Sequence, residues 1–337
     1  MNPEISKKTI AIIITGIFFI VVAGIIAGTG LYLTRPATDK GKDQVVTVKE
    51  GMALKEISNV LEQRGLIRNK LVFMAWARLM GYSRKVKAGE YRLNPSMAPI
   101  RIMEVLTRGV ILTYTVTIPE GFSIKQIADV FSEQGLAPRY EFIAYALKSD
   151  SPSKHGIESP SLEGYLYPDT YIFARGLSVP TIINVMVGRF KEVITPLNDM
   201  ITRSGMSLNE LVTLASIIEK ETGKAEERPL IASVFLNRLR KRMRLESDPT
   251  VIYGIKDFSG NLKKKDLSTH TPYNTYLIRA LPPGPIASPG LASLTAVLNP
   301  DDTDFLYFVS KNDGSHHFSK TLEEHNRAVY KYQKKRK

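Results

Sequence analysis

The sequence contains no cysteine, which removes disulfide staples and thiolate chemistry and leaves the compartment open. It has only one long apolar run, so several membrane passes are excluded. His316, His317 and His325 lack the spacing of a metal-ligand motif, and no metal or organic cofactor is called for. No groove-reading element for nucleic acid is present either. Acid is scarce relative to base: 33 Asp and Glu stand against 46 Lys and Arg, a net charge of +13. The densest runs are Lys263 to Lys265 and the tail Lys334, Lys335, Arg336 and Lys337. Such a spread of charge favours a polyanionic partner, whether anionic lipid, nucleic acid or an anionic cell-wall polymer, without choosing among them.

The apolar run itself covers residues 10–33, 24 consecutive positions without a charge, enough to span a bilayer. Lys7 and Lys8 precede it in a short head, residues 1–9, and Arg35, Lys40 and Lys42 follow it, which weakly favours an N-terminus-in orientation. A single uncleaved anchor in the cytoplasmic membrane, with residues 34–337 outside, is the simplest reading. Cleavage as a signal peptide is the rival, although the stretch from Ala23 to Thr29 resembles a cleavage site only loosely.

After a linker, residues 34–44, the segment TVKEGMALKEISNVLEQRGLI at 47–67 recurs 70 positions later as TIPEGFSIKQIADVFSEQGLA at 117–137. Glu50 and Gly51 match Glu120 and Gly121, and Leu54, Ile57 and Leu61 match Ile124, Ile127 and Phe131. Each copy predicts a strand, a Glu-Gly turn and an amphipathic helix ended by glycine. The first copy with its flanks predicts a small α/β domain over 45–112, and the second copy opens a larger one over 113–337, for an α+β class overall. The 45–112 segment resembles a LysM-type module. That resemblance implies binding of glycans containing N-acetylglucosamine, whereas composition alone is equally consistent with a spacer.

In the larger region, residues 207–239 read SLNELVTLASIIEKETGKAEERPLIASVFLNRL. Ser207 is an N-cap with Glu210 as its capping-box partner. Leu211, Val212, Leu214, Ala215, Ile217 and Ile218 then surround the helix with apolar side chains, the pattern of a helix buried on most sides. Gly223 suits the position that ends it, and Pro229 opens a second helix. Glu219 follows the apolar turns and admits three readings: a solvated last turn shared with Lys220 and Glu221, a buried catalytic carboxylate, or an ion pair with an arginine such as Arg238. Upstream, Tyr165, Tyr167 and Tyr171 alternate beside carboxylates, as a sugar cleft or a core strand would. Downstream, the proline-rich run from Ala280 to Gly290 predicts an ordered loop that lines a site.

The motifs LEGYLYPDTY, LASIIEKETG, VFLNRL, ESDPTVIYG, TPYNTY, ALPPGPIASPG and GSHHFSKTLEEHN resemble, in order and over nearly the whole chain, the YceG/MltG-like family of membrane-anchored endolytic murein transglycosylases. Thr271, Ala280 and Ser288 depart from residues usual in that family without removing a titratable group. The resemblance implies an enzyme, a lyase that cuts peptidoglycan glycan strands at the MurNAc–GlcNAc β-1,4 bond and leaves 1,6-anhydromuramic ends. It implies Glu219 as the catalytic acid and base, its proton affinity raised by burial. Glu163, Tyr165, Asn237, Asp248, Tyr273 and Asn274 are the expected substrate-binding residues, with Glu221 as the rival acid. The partners implied are glycan strands, inner-membrane lipid and cell-wall synthesis enzymes. A non-catalytic, membrane-anchored peptidoglycan-binding scaffold is the alternative, with Glu219 ion-paired to Arg228 or Arg238.

Overall fold

The computed structural model describes residues 7–256, 258 and 260–335. Most of the head residues, and Arg336 and Lys337 of the basic tail, lie outside the described residues. Helix α1 (Lys7–Thr34) is apolar along nearly its whole length and exposes Ile12, Phe18, Phe19 and Ile20. Among the described residues it is the one helix long and apolar enough to cross a membrane.

The chain divides into two compact units. The first runs through Tyr114 and takes in Ala174–Gly176; the second comprises Thr115–Phe173 and Leu177 onward. In the first, β1 (Gln44–Val48) pairs antiparallel with β2 (Gly89–Leu93), with Val46 opposite Tyr91. Helices α2 (Leu54–Gln63), α3 (Lys70–Leu79) and α4 (Pro99–Arg108) cover that ribbon. Alternation in β1 sends Val46 and Val48 inward, where they join Leu61, Phe73, Tyr91 and Leu106 in one core. Asn69 caps α3 by accepting from Leu71 and Val72, which fixes where that helix begins.

The second unit begins at Thr115, within β3 (Thr113–Thr117), which pairs with β4 (Thr170–Ala174). Between them lie α5 (Ile124–Glu133), α6 (Arg139–Ala146) and the short α7 (Ser151–Lys154). Phe131 stacks on Phe142 at 5.3 Å and meets the edge of Phe173 at 5.5 Å, so one aromatic cluster joins two helices to a strand. The repeated segments fold alike. Gly65 and Gly135 both take left-handed backbone, at φ 68° and 65°, and each is followed by a leucine whose N–H closes back on the helix, Leu66 to Leu61 and Leu136 to Phe131.

Helices α8 (Val179–Ile194) and α9 (Asn198–Ser204) lead into α10 (Leu208–Glu221), capped by the predicted Ser207–Glu210 box. Every residue from Leu211 to Ile218 is buried. Contacts with α11 (Arg228–Arg240), α12 (Asp248–Gly254) and α13 (Leu291–Leu298) surround it. Truncating Ile217 to alanine at the centre of this packing costs about 2–5 kcal/mol. Gly223 does stand at C′, one residue past the cap Thr222, but the helix ends without a left-handed turn: Thr222 is already extended at φ −141°. The chain closes with the hairpin β5 (Tyr307–Ser310) and β6 (His316–Ser319), turning through Asn312 and Gly314, and with α14 (Leu322–Val329), which has its own Thr321–Glu324 capping box.

Candidate active site

One stripe of α10 organises the site. Asn209, Val212, Ser216 and Glu219 share a helix face by spacing, and the loop 283–290 lies along it. Asn209 donates to the Pro283 carbonyl at 3.0 Å, Ser216 accepts from the Ile286 N–H at 3.0 Å, and Glu219 accepts from the Gly290 N–H at 3.0 Å. Gly164 lets the chain pass close by: its φ is 84°, and a β-carbon there would lie 2.5 Å from Pro285 and 3.0 Å from Val212. The same loop is tied to the Glu120-Gly121 turn by paired backbone bonds, Gly121 N–H to Ser288 O and Ser288 N–H to Phe122 O, both 2.8 Å.

Glu219 sits where these segments meet, its side chain 5 % exposed. Arg228, at the start of α11, donates Nη2 to Oε1 at 2.9 Å; Oε2 accepts from Gly290 N–H at 3.0 Å and from Ser293 Oγ at 2.7 Å. Gly290 is the N-cap of α13, so the positive end of that helix also faces the carboxylate. Of the sequence readings, burial and ion pairing hold together, and the partner is Arg228. Arg238 is committed elsewhere: its Nε donates to Leu306 O and its Nη1 to the carbonyls of Arg244 and Leu245 and to Glu246.

A cavity of about 700 Å³ opens beside this cluster, walled by Gly121, Lys220, Glu163, Tyr253 and Ile286, a volume in the ordinary range of ligand sites. Glu163, 2 % exposed, accepts from Ile124 N–H at 2.9 Å and from Tyr253 OH at 3.1 Å. Burial outweighs those bonds and pushes its carboxyl up to about 7. Tyr273 packs on Tyr253 with ring centroids 4.8 Å apart. Burial, followed by the neighbouring Glu163 charge, raises the hydroxyls of both tyrosines.

Glu221 belongs to a second cavity of about 380 Å³, with Arg238, Asp248 and Tyr276. It is not a solvated last-turn residue. Ser247 donates to it at 2.5 Å, and desolvation, helped by Asp248, pushes its carboxyl up to about 7. Asp248 opens α12 and accepts from Tyr276 OH at 2.7 Å.

Tyr165, Asn237 and Asn274 are spent inside the protein. Tyr165 is fully buried, edge-on to Phe190 at 5.1 Å, with its hydroxyl on Asn209 at 3.2 Å. Tyr167 and Tyr171 are buried as well, and Tyr171 OH donates to Tyr167 O at 2.5 Å. Asn237 donates to the carbonyls of Thr303 at 2.7 Å and Phe305 at 3.0 Å; Asn274 donates to those of Leu267 at 3.0 Å and Thr269 at 2.8 Å. The histidines serve the hairpin and the last helix: His316 pairs with Glu227 at 2.6 Å, His317 packs on Tyr332 and His325 on Tyr307. Arg228 was one of the two arginines the sequence offered for Glu219, whereas Gly290, Ser293 and Glu120 were missed by sequence reasoning as its neighbours. Only the repeated Glu-Gly pair marked one of them.

Buried carboxylates at the end of an enclosed helix, beside a ligand-sized cavity, define an enzyme-like α+β domain. The chain belongs to the YceG-like family, whose model matches residues 46–331. A Bacillus subtilis protein named endolytic murein transglycosylase is 35% identical over 329 residues, covering 91% of this chain and 91% of its own length. A Streptococcus pneumoniae protein of the same name is 32% identical over 316 residues, 84% of this chain, and the match spans 57% of that longer protein. A crystal structure of a YceG-like protein from Listeria monocytogenes superposes with a TM-score of 0.60 at 35% identity, covering 86% of this chain and 100% of that one.

Proposed function

We propose that this chain is an endolytic murein transglycosylase that cleaves the MurNAc–GlcNAc β-1,4 bond of peptidoglycan strands and leaves 1,6-anhydromuramic ends, with Glu219 handling the proton. The names carried by the relatives support the reaction class. The observation that carries the assignment is the setting of Glu219, a nearly enclosed carboxylate held by donors from two other segments, beside a ligand-sized cavity lined by its neighbours Gly121 and Lys220. In the protonated state it donates to the bridging oxygen as the C1–O4 bond breaks. As carboxylate it takes the proton of the muramyl C6 hydroxyl, which attacks C1, so no water enters the product. Glu163 and Tyr273 face the bound sugar in this reading, and Asp248 with Glu221 serves a more distant part of the strand. Tyr165, Asn237 and Asn274 shape the cleft by holding its walls.

Helix α1 is read as an uncleaved anchor with its N-terminus inside, and residues 45–112 as a LysM-like glycan-holding module. A reporter placed after Lys337 that works only in the cytoplasm would contradict that topology. The Arg228 pair also favours a second reading, a non-catalytic peptidoglycan-binding scaffold in which Glu219 is structural. Digestion of purified murein in isotopically labelled water separates the two. Transglycosylation gives anhydro ends free of solvent oxygen, and Glu219→Gln lowers turnover by at least about 10²-fold while strand binding persists. Solvent label at reducing ends, or full activity of the variant, refutes the assignment; binding without any products supports the scaffold.

A further inference from the structure

Arg228 faces two carboxylates. Its Nη2 lies 2.9 Å from Glu219 Oε1 and 3.8 Å from Glu120 Oε2, while its Nε is buried without a hydrogen-bond partner among the described residues. Glu120 differs from Glu219 in being open to water, with its side chain 49 % exposed. It stands on the Glu-Gly turn, where Gly121 at φ 75° and the backbone bonds to Ser288 and Phe122 hold it against the loop. Its carboxylate fills the space left by a missing side chain: a β-carbon on Gly290 would lie 1.8 Å from Glu120 Oε1. Gly290 is at φ −77°, where any residue is allowed, so backbone strain does not explain a glycine there. Room for Glu120 does.

We propose that Glu120 is a positioning carboxylate for the reaction, taking Arg228 from Glu219 when Glu219 is protonated and returning it when Glu219 is charged. The inference rests on the reading of Glu219 as the proton-handling group. When Glu219 takes up a proton, its claim on Arg228 weakens, and a buried guanidinium left without a counter-charge is strongly unfavourable. Glu120 supplies that counter-charge after a shift on the order of 1 Å, the difference between the present separation and a charge-assisted hydrogen bond. The arginine is then never unpaired, and the acid step is not blocked by a fixed ion pair. The other charged or titratable groups nearby are Lys220, whose Nζ donates to Gly121 O at 3.2 Å, and Tyr167, whose hydroxyl is raised by burial and then by the Glu120 charge. Glu120 is itself raised, by burial first and by Glu219 second, against the pull of Arg228, as two carboxylates sharing one cation require.

The test uses the full chain in detergent, with purified murein as substrate and product ends counted by mass analysis across pH. In Glu120→Gln, Arg228 has only Glu219 to serve, so the acid form is harder to reach. The expected result is a kcat lower by at least about tenfold at neutral pH, KM within about twofold, and an alkaline limb of the pH–rate profile moved to lower pH. Gly290→Ala, which keeps every carboxylate but evicts Glu120 from its place, should move the same limb the same way. It also covers the case in which Glu120→Gln does not fold. A variant whose rate falls with no movement of the limb would make Glu120 merely structural and overturn the proposal, as would wild-type behaviour in either variant. Glu219→Gln is run alongside. If it is inactive while Glu120→Gln is unchanged, the sharing of Arg228 alone is refuted; if it is fully active, the assignment of Glu219 falls first.

Discussion

Replacing Glu163 by glutamine removes a titrating group from a place that burial has made hostile to charge, and the consequence for stability depends on pH. In the folded chain the carboxyl is pushed from its ordinary 4.5 up to about 7. Below 4.5 it is protonated folded or unfolded and costs nothing. As pH rises toward 7 the unfolded chain releases the proton and the folded chain does not, so stability is lost through this interval and the loss is complete above the folded value. At 1.36 kcal/mol per pH unit the penalty accumulates to about 3 kcal/mol. Glutamine keeps the shape, its oxygen accepts from Ile124 N–H as Oε1 does now, and the Tyr253 hydroxyl can turn to meet its amide. Glu163→Gln should therefore match wild type at pH 4 and exceed it by up to about 3 kcal/mol at pH 8. Urea unfolding of the full chain in detergent measures this, followed by near-ultraviolet circular dichroism of the tyrosines. The single tryptophan, Trp76, reports the first unit separately by fluorescence. Because other carboxylates titrate in both proteins, the difference between the two curves is the quantity to read. A difference that does not change with pH would refute the reasoning.

Gly164→Ala should destabilise the second unit by about 2 to 4 kcal/mol, combining overpacking against Pro285 and Val212 with a left-handed backbone; a loss under about 0.5 kcal/mol in the same urea assay would show that the loop yields freely. Glu221→Gln should change turnover by less than about tenfold, because its cavity is not the one beside Glu219. A drop on the order of 10²-fold in murein digestion would make Glu221 the acid instead. Deleting residues 45–112 should weaken sedimentation with insoluble murein while leaving cleavage of short soluble strands; undiminished sedimentation would reduce the module to a spacer.

What the sequence disclosed was mostly local. The Ser207–Glu210 cap, the apolar turns to Ile218 and the matched glycine-ended helices all follow from side chains a few positions apart, and they appear as anticipated. At the candidate site Glu219, Glu163 and Arg228 were legible, but the donors Gly290 and Ser293 were not, because they come from elsewhere: Ser293 is 74 residues away in the chain. Glu221 was named as the rival acid, but its burial was hidden for the same reason, since a helix's last turn is solvated by default and Ser247 covers it only after the chain returns. Tyr165, Tyr167 and Tyr171 fitted a sugar cleft or a core strand in the sequence, and the structure buries all three: Asn209 and the Tyr167 carbonyl satisfy the hydroxyls of Tyr165 and Tyr171, which lets those rings enter the core.

The loop along α10 also bears on how the chain is made. Its three anchor bonds join residues separated by 74, 70 and 71 positions, so the covering segment trails the helix it covers by a nearly constant length. During synthesis at about 5–20 residues per second, α10 emerges several seconds before anything exists to lie on its stripe. For that interval a helix whose residues from Leu211 to Ile218 are all buried in the finished fold has no complete shelter. Slowing elongation between residues 221 and 283 would lengthen this exposed period, and speeding it would shorten it, without altering a single contact in the finished protein.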